Sequence, residues 1–155
     1  MASDIQDRIC LIAVDGSKYS NYALKWYEKN IHKSGDKILL AHCVDPRKHL
    51  TKEVVSLSTG DAEELKKAFT DEENKAREVM EKCKEDCTKL GLTEVELLKV
   101  VGEPGPGIVQ ASREKGANLI VTGCRGLGQI RRTILGSVSD YILHHSDVPV
   151  FVCKH

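Results

Sequence analysis

The chain has 155 residues, 41% of them hydrophobic and 30% charged, and its 23 basic and 23 acidic side chains cancel to a net charge of zero. That length suits one domain, residues 1–155, able to bury a core without a disulfide or metal, and the balance of apolar and charged residues excludes disordered and fibrous classes. Zero net charge argues against nucleic acid as a partner, and no apolar run approaches the roughly 20 residues that cross a bilayer, so the expectation is a cytoplasmic protein with no membrane role.

Ile9-Cys10-Leu11-Ile12-Ala13-Val14 is a continuous apolar run closed by Asp15-Gly16-Ser17, the pattern of a strand buried on both faces. Residues 19–31 follow with Ala23, Trp26, Tyr27 and Ile31 at helical spacing, and Ser17 or Ser20 can cap that helix. Residues 37–44 read as a second strand, ended by Asp45-Pro46 because proline cannot continue it. No period holds over residues 47–60, which makes them a long connection. Leu65, Phe69, Ala76, Met80, Cys83, Cys87 and Leu90 then keep one apolar helical stripe over residues 61–90. Within it Thr70-Asp71-Glu72-Glu73 fits a capping box, which allows two helices with a break near residue 70.

Residues 94–101 give a third strand, and Gly102-Glu103-Pro104-Gly105-Pro106-Gly107 reads as a turn. A short helix over residues 108–115 is stopped by Gly116, and Leu119-Ile120-Val121 is a fourth strand. Val138, Tyr141, Ile142 and Leu143 mark a last helix before a fifth strand over residues 148–153. Strands alternating with helices require crossover connections, hence a parallel sheet with helices on both faces: a doubly wound α/β fold.

Of the six cysteines, Cys10, Cys43, Cys124 and Cys153 fall in or beside apolar strand runs and read as buried, reduced thiols. Cys83 and Cys87 lie four apart on one helix, where core packing accounts for them better than a redox pair does. No C-x-x-C occurs, so zinc-ribbon and thioredoxin-type chemistry has no support. His144 and His145 sit near the end of the last helix, a place for surface or helix-end roles.

The chemistry lies in the stretch from Gly123 to Ser137, GCRGLGQIRRTILGS, which follows a strand and opens a helix. Gly123 and Gly126 can take positive φ and admit a ligand close to the main chain, and Gly136-Ser137 starts a helix whose unpaired N–H groups attract anions. Arg125, Arg131 and Arg132 make a positive field there, and no acidic residue stands between Gly116 and Ser139. The local field therefore favours a phosphate. No Gly-Lys-Ser/Thr ends the stretch, so it is not a Walker A loop, and Gly126-Leu127-Gly128-Gln129-Ile130-Arg131 lacks the third glycine of a Rossmann fingerprint.

Gly123, Gly126 and Gly136-Ser137, spaced G-x2-G-x9-G-S, together with Val14-Asp15-Gly16-Ser17 and Val148-Pro149-Val150-Phe151-Val152, resemble the ATP-binding branch of the universal stress protein family. The likeness runs from about residue 8 to the end of the chain. Thr122 and Cys124 depart from it, standing where the family often has methionine and serine. The resemblance implies a sheet of order 3-2-1-4-5 and bound ATP or AMP, with Mg or Mn on the phosphates. Asp15 would meet the ribose or, indirectly, that metal, while the backbone of Cys43 and Val44 would meet the adenine edge. Gly123 would lie against the ribose, and Gly126, Gly136, Ser137 and Val138 would hold the phosphates. A homodimer through the last strand, Val148 to Val152, is implied too, and an apolar unpaired edge invites strand addition.

The loop offers donors and positive charge but no carboxylate or histidine to take a proton, which favours a nucleotide-binding stress-response or signalling module over an enzyme. A slow ATPase or phosphotransferase using the same site is the alternative, and an interaction domain with no nucleotide is the third.

Overall fold

The computed structural model describes residues 7–49, 62–124 and 135–155. Strands β1 (Ile9–Ala13), β2 (Lys37–Val44), β3 (Val95–Val101), β4 (Leu119–Cys124) and β5 (Val150–Lys154) form one parallel sheet in the order β3-β2-β1-β4-β5. Four helices are seen among the described residues: α1 (Lys18–Asn30), α2 (Ala62–Lys89), α3 (Pro104–Glu114) and α4 (Ser137–His145). A short 3-10 turn, Pro46–His49, follows β2.

The unbroken apolar runs are explained by two cores, one on each face of the sheet. Cys10, Ile12, Val14, Ile38, Leu40 and Val121 pack beneath Ala23, Leu24 and Tyr27 of α1 and Cys83 and Cys87 of α2. Leu11, Leu39, Ala41 and Ile120 pack against Ile108, Val109 and Ala111 of α3 and Ile142 of α4. Each fully buried large side chain contributes roughly 1.5–3 kcal/mol relative to exposure. The sheet is thus covered on both faces, as the alternating pattern requires.

At the amino ends of the strands a buried carboxylate fixes the layers. Asp36, 3% exposed, accepts from Arg8 Nε at 2.8 Å, Arg8 Nη2 at 2.6 Å, the Tyr27 hydroxyl at 2.7 Å and the Lys33 N–H at 2.9 Å. Burial alone would raise the Asp36 carboxyl, and these hydrogen bonds, led by Arg8, overcome it and hold the group well below the usual carboxylate range.

Three elements differ from their sequence expectation. The 61–90 stripe is one unbroken helix: Thr70 donates from Oγ1 to Lys66 O at 2.9 Å, back along the helix, instead of capping a new one. The segment read as a turn after Gly102 is already helical from Pro104. Proline suits the first helical position because that N–H has no partner to lose. Gly105 and Gly107 are there for contact rather than turning, since a Cβ on either would lie 2.9 Å from Tyr141 Cβ or Val100 Cγ1. Finally, β4 runs on to Cys124, so Gly123 belongs to a strand and not to the loop.

Helix α3 ends as expected at Gly116, whose φ is +64°, with Ala117 N–H reaching Ser112 O at 2.9 Å.

Candidate functional site at the strand reversal

The chain turns in opposite directions on leaving β1 and β4. From β1 it rises to α1 on one face, and from β4 it passes to α4 on the other. Neighbouring parallel strands that part in this way open a crevice at their carboxyl ends, the place where open α/β sheets bind ligands.

Register sets what borders the crevice. Ile12 stands opposite Leu40 and Val121. Three residues further along the same register come Asp15, Cys43 and Cys124, on strands roughly 4.8 Å apart. Alternation along β2 then decides which main-chain groups face inward. Ala41 O accepts the Val14 N–H at 2.9 Å, so Ala41 faces β1, and Cys43, two residues on, is directed the same way past the end of β1. Val44 faces the other side, its carbonyl accepting the Gly102 N–H at 2.9 Å.

The Asp15–Ser17 turn is held from several directions. Asp15 Oδ1 accepts the Ser17 N–H at 2.9 Å, and the Asp15 N–H donates to Ser20 Oγ at 3.3 Å. Ser17 is the cap of α1, accepting the Ser20 N–H at 3.3 Å, while the buried Ser20 donates its hydroxyl back to Ser17 O at 3.2 Å. Gly16 takes φ +77°, and a Cβ there would lie 3.0 Å from Val79 Cγ2, so α2 roofs the turn. His42 Nδ1 donates to Val14 O at 2.8 Å and ties the end of β2 to that of β1.

Gly123 does not take a positive φ, which corrects the expectation for that residue. A Cβ on it would collide with the Tyr19 carbonyl oxygen and lie 2.6 Å from Tyr19 C and 3.0 Å from Ser20 N. Glycine at 123 lets the first turn of α1 sit directly on β4. The Gly123 carbonyl accepts Ser139 Oγ at 3.2 Å and Thr122 Oγ1 at 3.3 Å, with Ser139 and Thr122 both buried. Ser139 therefore pins the start of α4 to the end of β4. Sequence reasoning missed Thr122 and Ser139 as site-building residues; a serine in the first turn of the last helix was the available signal.

Gly136 is the N-cap of α4, with φ −60°, ψ 151° and no side-chain cap, and Ser137 is exposed at the first helical position. The other helix starts on this side contrast with it. Helix α1 is capped by Ser17, and α3 begins with Pro104 and Pro106, which carry no N–H. Neither α3 nor α4 has a side-chain cap, but the two prolines leave α3 only the Gly105 N–H among its first three helical residues, whereas Ser137, Val138 and Ser139 of α4 all carry one. Arg125, Gly126, Arg131 and Arg132 lie outside the described residues. Asp140 follows in the first turn, 3.5 Å from His144 Nε2, and His145 stacks on Tyr141 with ring centroids 3.9 Å apart, so both histidines serve the helix end.

Among the described residues no group of three or more histidine, cysteine or acidic side chains could hold a metal by itself. The single carboxylate of Asp15, oriented by the Ser17 N–H, fits a magnesium-type ion that takes most of its remaining ligands from water and phosphates. Cys83 and Cys87 are buried in the core under α1 and α2, and burial pushes their thiols up to about 11 and about 12, which fits core packing. Two grooves lie elsewhere, one between α2 and β3 around Met80 and Lys99, the other between α1 and β5 around Trp26 and Phe151; Asp15, Cys43 and Ser137 line neither.

The universal stress protein family model matches residues 8–154. Universal stress protein MJ0577 of Methanocaldococcus jannaschii is 28% identical over 154 residues, spanning 93% of each chain. A putative universal stress protein of Staphylococcus haemolyticus is 30% identical over 145 residues, covering 93% of this chain and 82% of its own. The solved structure of MJ0577 superimposes with a TM-score of 0.71 at 26% identity, covering 97% of this chain and 98% of that one. An Arabidopsis thaliana universal stress protein family structure with AMP bound gives 0.69 at 22% identity, covering 96% and 92%. A universal stress protein in complex with cAMP gives 0.65 at 21%, covering 95% and 96%.

Proposed function

The chain belongs to the universal stress protein family, and on that footing we propose that it is an adenine-nucleotide-binding module of stress response or signalling. The observation that carries the reading is the α4 start. Its N–H groups have no side-chain cap, Ser137 is exposed beside them, and Ser139 fixes them against the strand that ends at the crevice. A helix end of this kind favours a phosphate group. The AMP and cAMP complexes of structurally similar proteins support adenine as the base.

In this reading the nucleotide lies across the carboxyl ends of β2, β1 and β4. The Cys43 main chain takes the adenine edge, the Val44 main chain being turned to β3 and its carbonyl bonded to Gly102, while Asp15 takes the ribose or a metal, and Gly136, Ser137 and Val138 the phosphates. Gly126 and the arginines at 125, 131 and 132 complete the phosphate end. A magnesium or manganese ion would supply charge neutralisation of the phosphates. The chain's own part is to bind and orient: donors and positive charge are supplied, and the stretch from Gly123 to Ser137 contains no carboxylate or histidine to take a proton. The cytoplasm, where ATP is abundant, is the proposed compartment. A homodimer through Val148 to Val152 belongs to the same proposal, since β5 is an outer strand and Phe151 on it is 39% exposed.

The test is thermal melting of nucleotide-free protein with ATP, AMP, GTP and NAD. Binding to the native state alone adds about 2.7 kcal/mol at a hundredfold excess over Kd. A melting temperature unmoved by any adenine nucleotide would sink the proposal. Phosphate release with magnesium or manganese, followed over hours, tests the ATPase alternative. Turnover well above trace in the parent, lost in Asp15→Asn while binding persists, would establish that alternative instead.

A further inference from the structure

The chain leaves β2 through a clamp. Asp45, which directly follows Val44, is 8% exposed. Its Oδ1 accepts the Arg47 main-chain N–H at 3.0 Å, closing a turn over Pro46. The Arg47 guanidinium lies on the same carboxylate as a fork, Nε to Oδ1 at 3.1 Å and Nη2 to Oδ2 at 3.1 Å. Nη2 also stands 3.4 Å from Oε2 of Glu103, the N-cap residue of α3. Two further ties join the same pieces: Gly102 N–H to Val44 O at 2.9 Å and Cys43 Sγ to Pro104 O at 3.7 Å.

As a source of stability this arrangement is poor. The Arg47 side chain is 61% exposed, and an ion pair open to solvent contributes little, whereas burying the Asp45 carboxylate has a cost. What the fork does supply is direction, because a planar guanidinium bound through two nitrogens fixes orientation as well as distance. The element it orients is the end of β2, where the Cys43 main chain is directed past β1.

We infer that the Asp45–Arg47–Glu103 clamp sets the base selectivity of the crevice, holding the Cys43 main chain where it matches adenine and mismatches guanine. The inference rests on the reading of the crevice as a nucleotide site. Adenine offers an acceptor, N1, beside a donor amino group, and guanine offers a donor, N1–H, beside an acceptor oxygen. A main-chain N–H and C=O held in one orientation satisfy the first pair and oppose the second with like groups, and discrimination by hydrogen bonding comes from polar groups left unpaired. Releasing the clamp lets the strand end turn, and the distinction relaxes.

The experiment is calorimetric titration of the nucleotide-free full chain with ATP, GTP and inorganic tripolyphosphate, for the parent, Arg47→Ala, Arg47→Lys and Glu103→Gln. Arg47→Ala is expected to weaken ATP about tenfold, on the scale of one hydrogen bond, with tripolyphosphate and GTP changed less than about twofold. Arg47→Lys keeps the charge without the fork and is expected to shift the ratio of ATP to GTP affinity the same way. A parent-like ratio in folded Arg47→Ala and Arg47→Lys overturns the inference. Equal losses for all three ligands overturn it as well, because they mark a general structural role. A parent that takes no adenine nucleotide brings down the underlying reading of the site, an outcome visible before any variant is made. Should Arg47→Ala not fold, Arg47→Lys and Glu103→Gln decide the matter.

Discussion

Replacing Gly123 with alanine tests whether that glycine serves the fold or only the ligand. The added Cβ would meet the Tyr19 carbonyl oxygen head on and lie 2.6 Å from Tyr19 C and 3.0 Å from Ser20 N, against 3.4–4 Å for ordinary contact. Every one of these atoms is backbone, so no rotamer change relieves the contact, and α1 must move off β4 by about an ångström. Forcing one extra carbon into a packed interface costs about 1–3 kcal/mol. For a domain of this size each kcal/mol lowers the melting temperature by about 2–4 °C. The same movement displaces the Asp15–Ser17 turn, which hangs on Ser20, so nucleotide affinity should fall together with stability. Urea unfolding of nucleotide-free protein measures the effect. The control is Gly136→Ala, where a Cβ meets nothing within 4 Å and φ is −60°, and its loss should stay within about 1 kcal/mol. Were Gly123→Ala as stable as the parent to within about 0.5 kcal/mol, with an unchanged denaturant slope, the packing account of this glycine would be wrong.

Gly136→Val should likewise leave the fold near parental stability in urea while weakening ATP in calorimetry, because the branched side chain obstructs approach to the α4 start; Ser137→Ala should cost a further-separable 1–3 kcal/mol of binding, roughly that of one hydrogen bond to a charged group, and parental affinity in both variants would remove the phosphates from this helix. The Asp36 carboxyl, held low by its hydrogen bonds despite burial, contributes stability that is present above its unfolded value of about 3.9 and is lost as pH falls toward its folded value. Asp36→Asn should therefore lose about 3 kcal/mol at pH 7, the lower end for breaking a buried pair because Arg8 is partly exposed, and should flatten the decline in stability between pH 5 and 2; parallel pH curves for parent and variant would contradict this. Cys83 and Cys87, with thiols raised to about 11 and about 12 by burial, should resist alkylation at pH 8 until the protein is unfolded, and rapid native-state labelling of either would show that α2 does not seal them.

Part of this molecule is written in local pattern. The run from Ile9 to Val14 announces a strand covered on both faces because it contains no polar alternation, and its burial between two cores follows. Ser17, Gly116 and Gly136 mark helix boundaries because caps and positive φ depend on one or two neighbouring residues. The strand order 3-2-1-4-5 came from resemblance to a family, since periodicity cannot say which strands lie side by side. Tertiary structure decided the rest. Thr70 through Glu73 carry a capping signal, yet α2 continues through them: Thr70 bonds back to Lys66, and the stripe goes on to bury Ala76, Met80, Cys83 and Cys87 on one face. Gly105 and Gly107 look like turn residues and are helical, and Gly123 looks like a loop residue and sits in a strand. In each case the reason for glycine is a neighbour far away in sequence, Tyr141, Val100 or Tyr19, whose approach leaves no room for a Cβ. The site follows the same division: the Gly-Ser helix start is legible because a cap is local, whereas the facing of Cys43, the Ser139 tie to Gly123 and the Arg47 fork depend on contacts that exist only after the sheet has formed, and one-dimensional spacing carries no record of close approach.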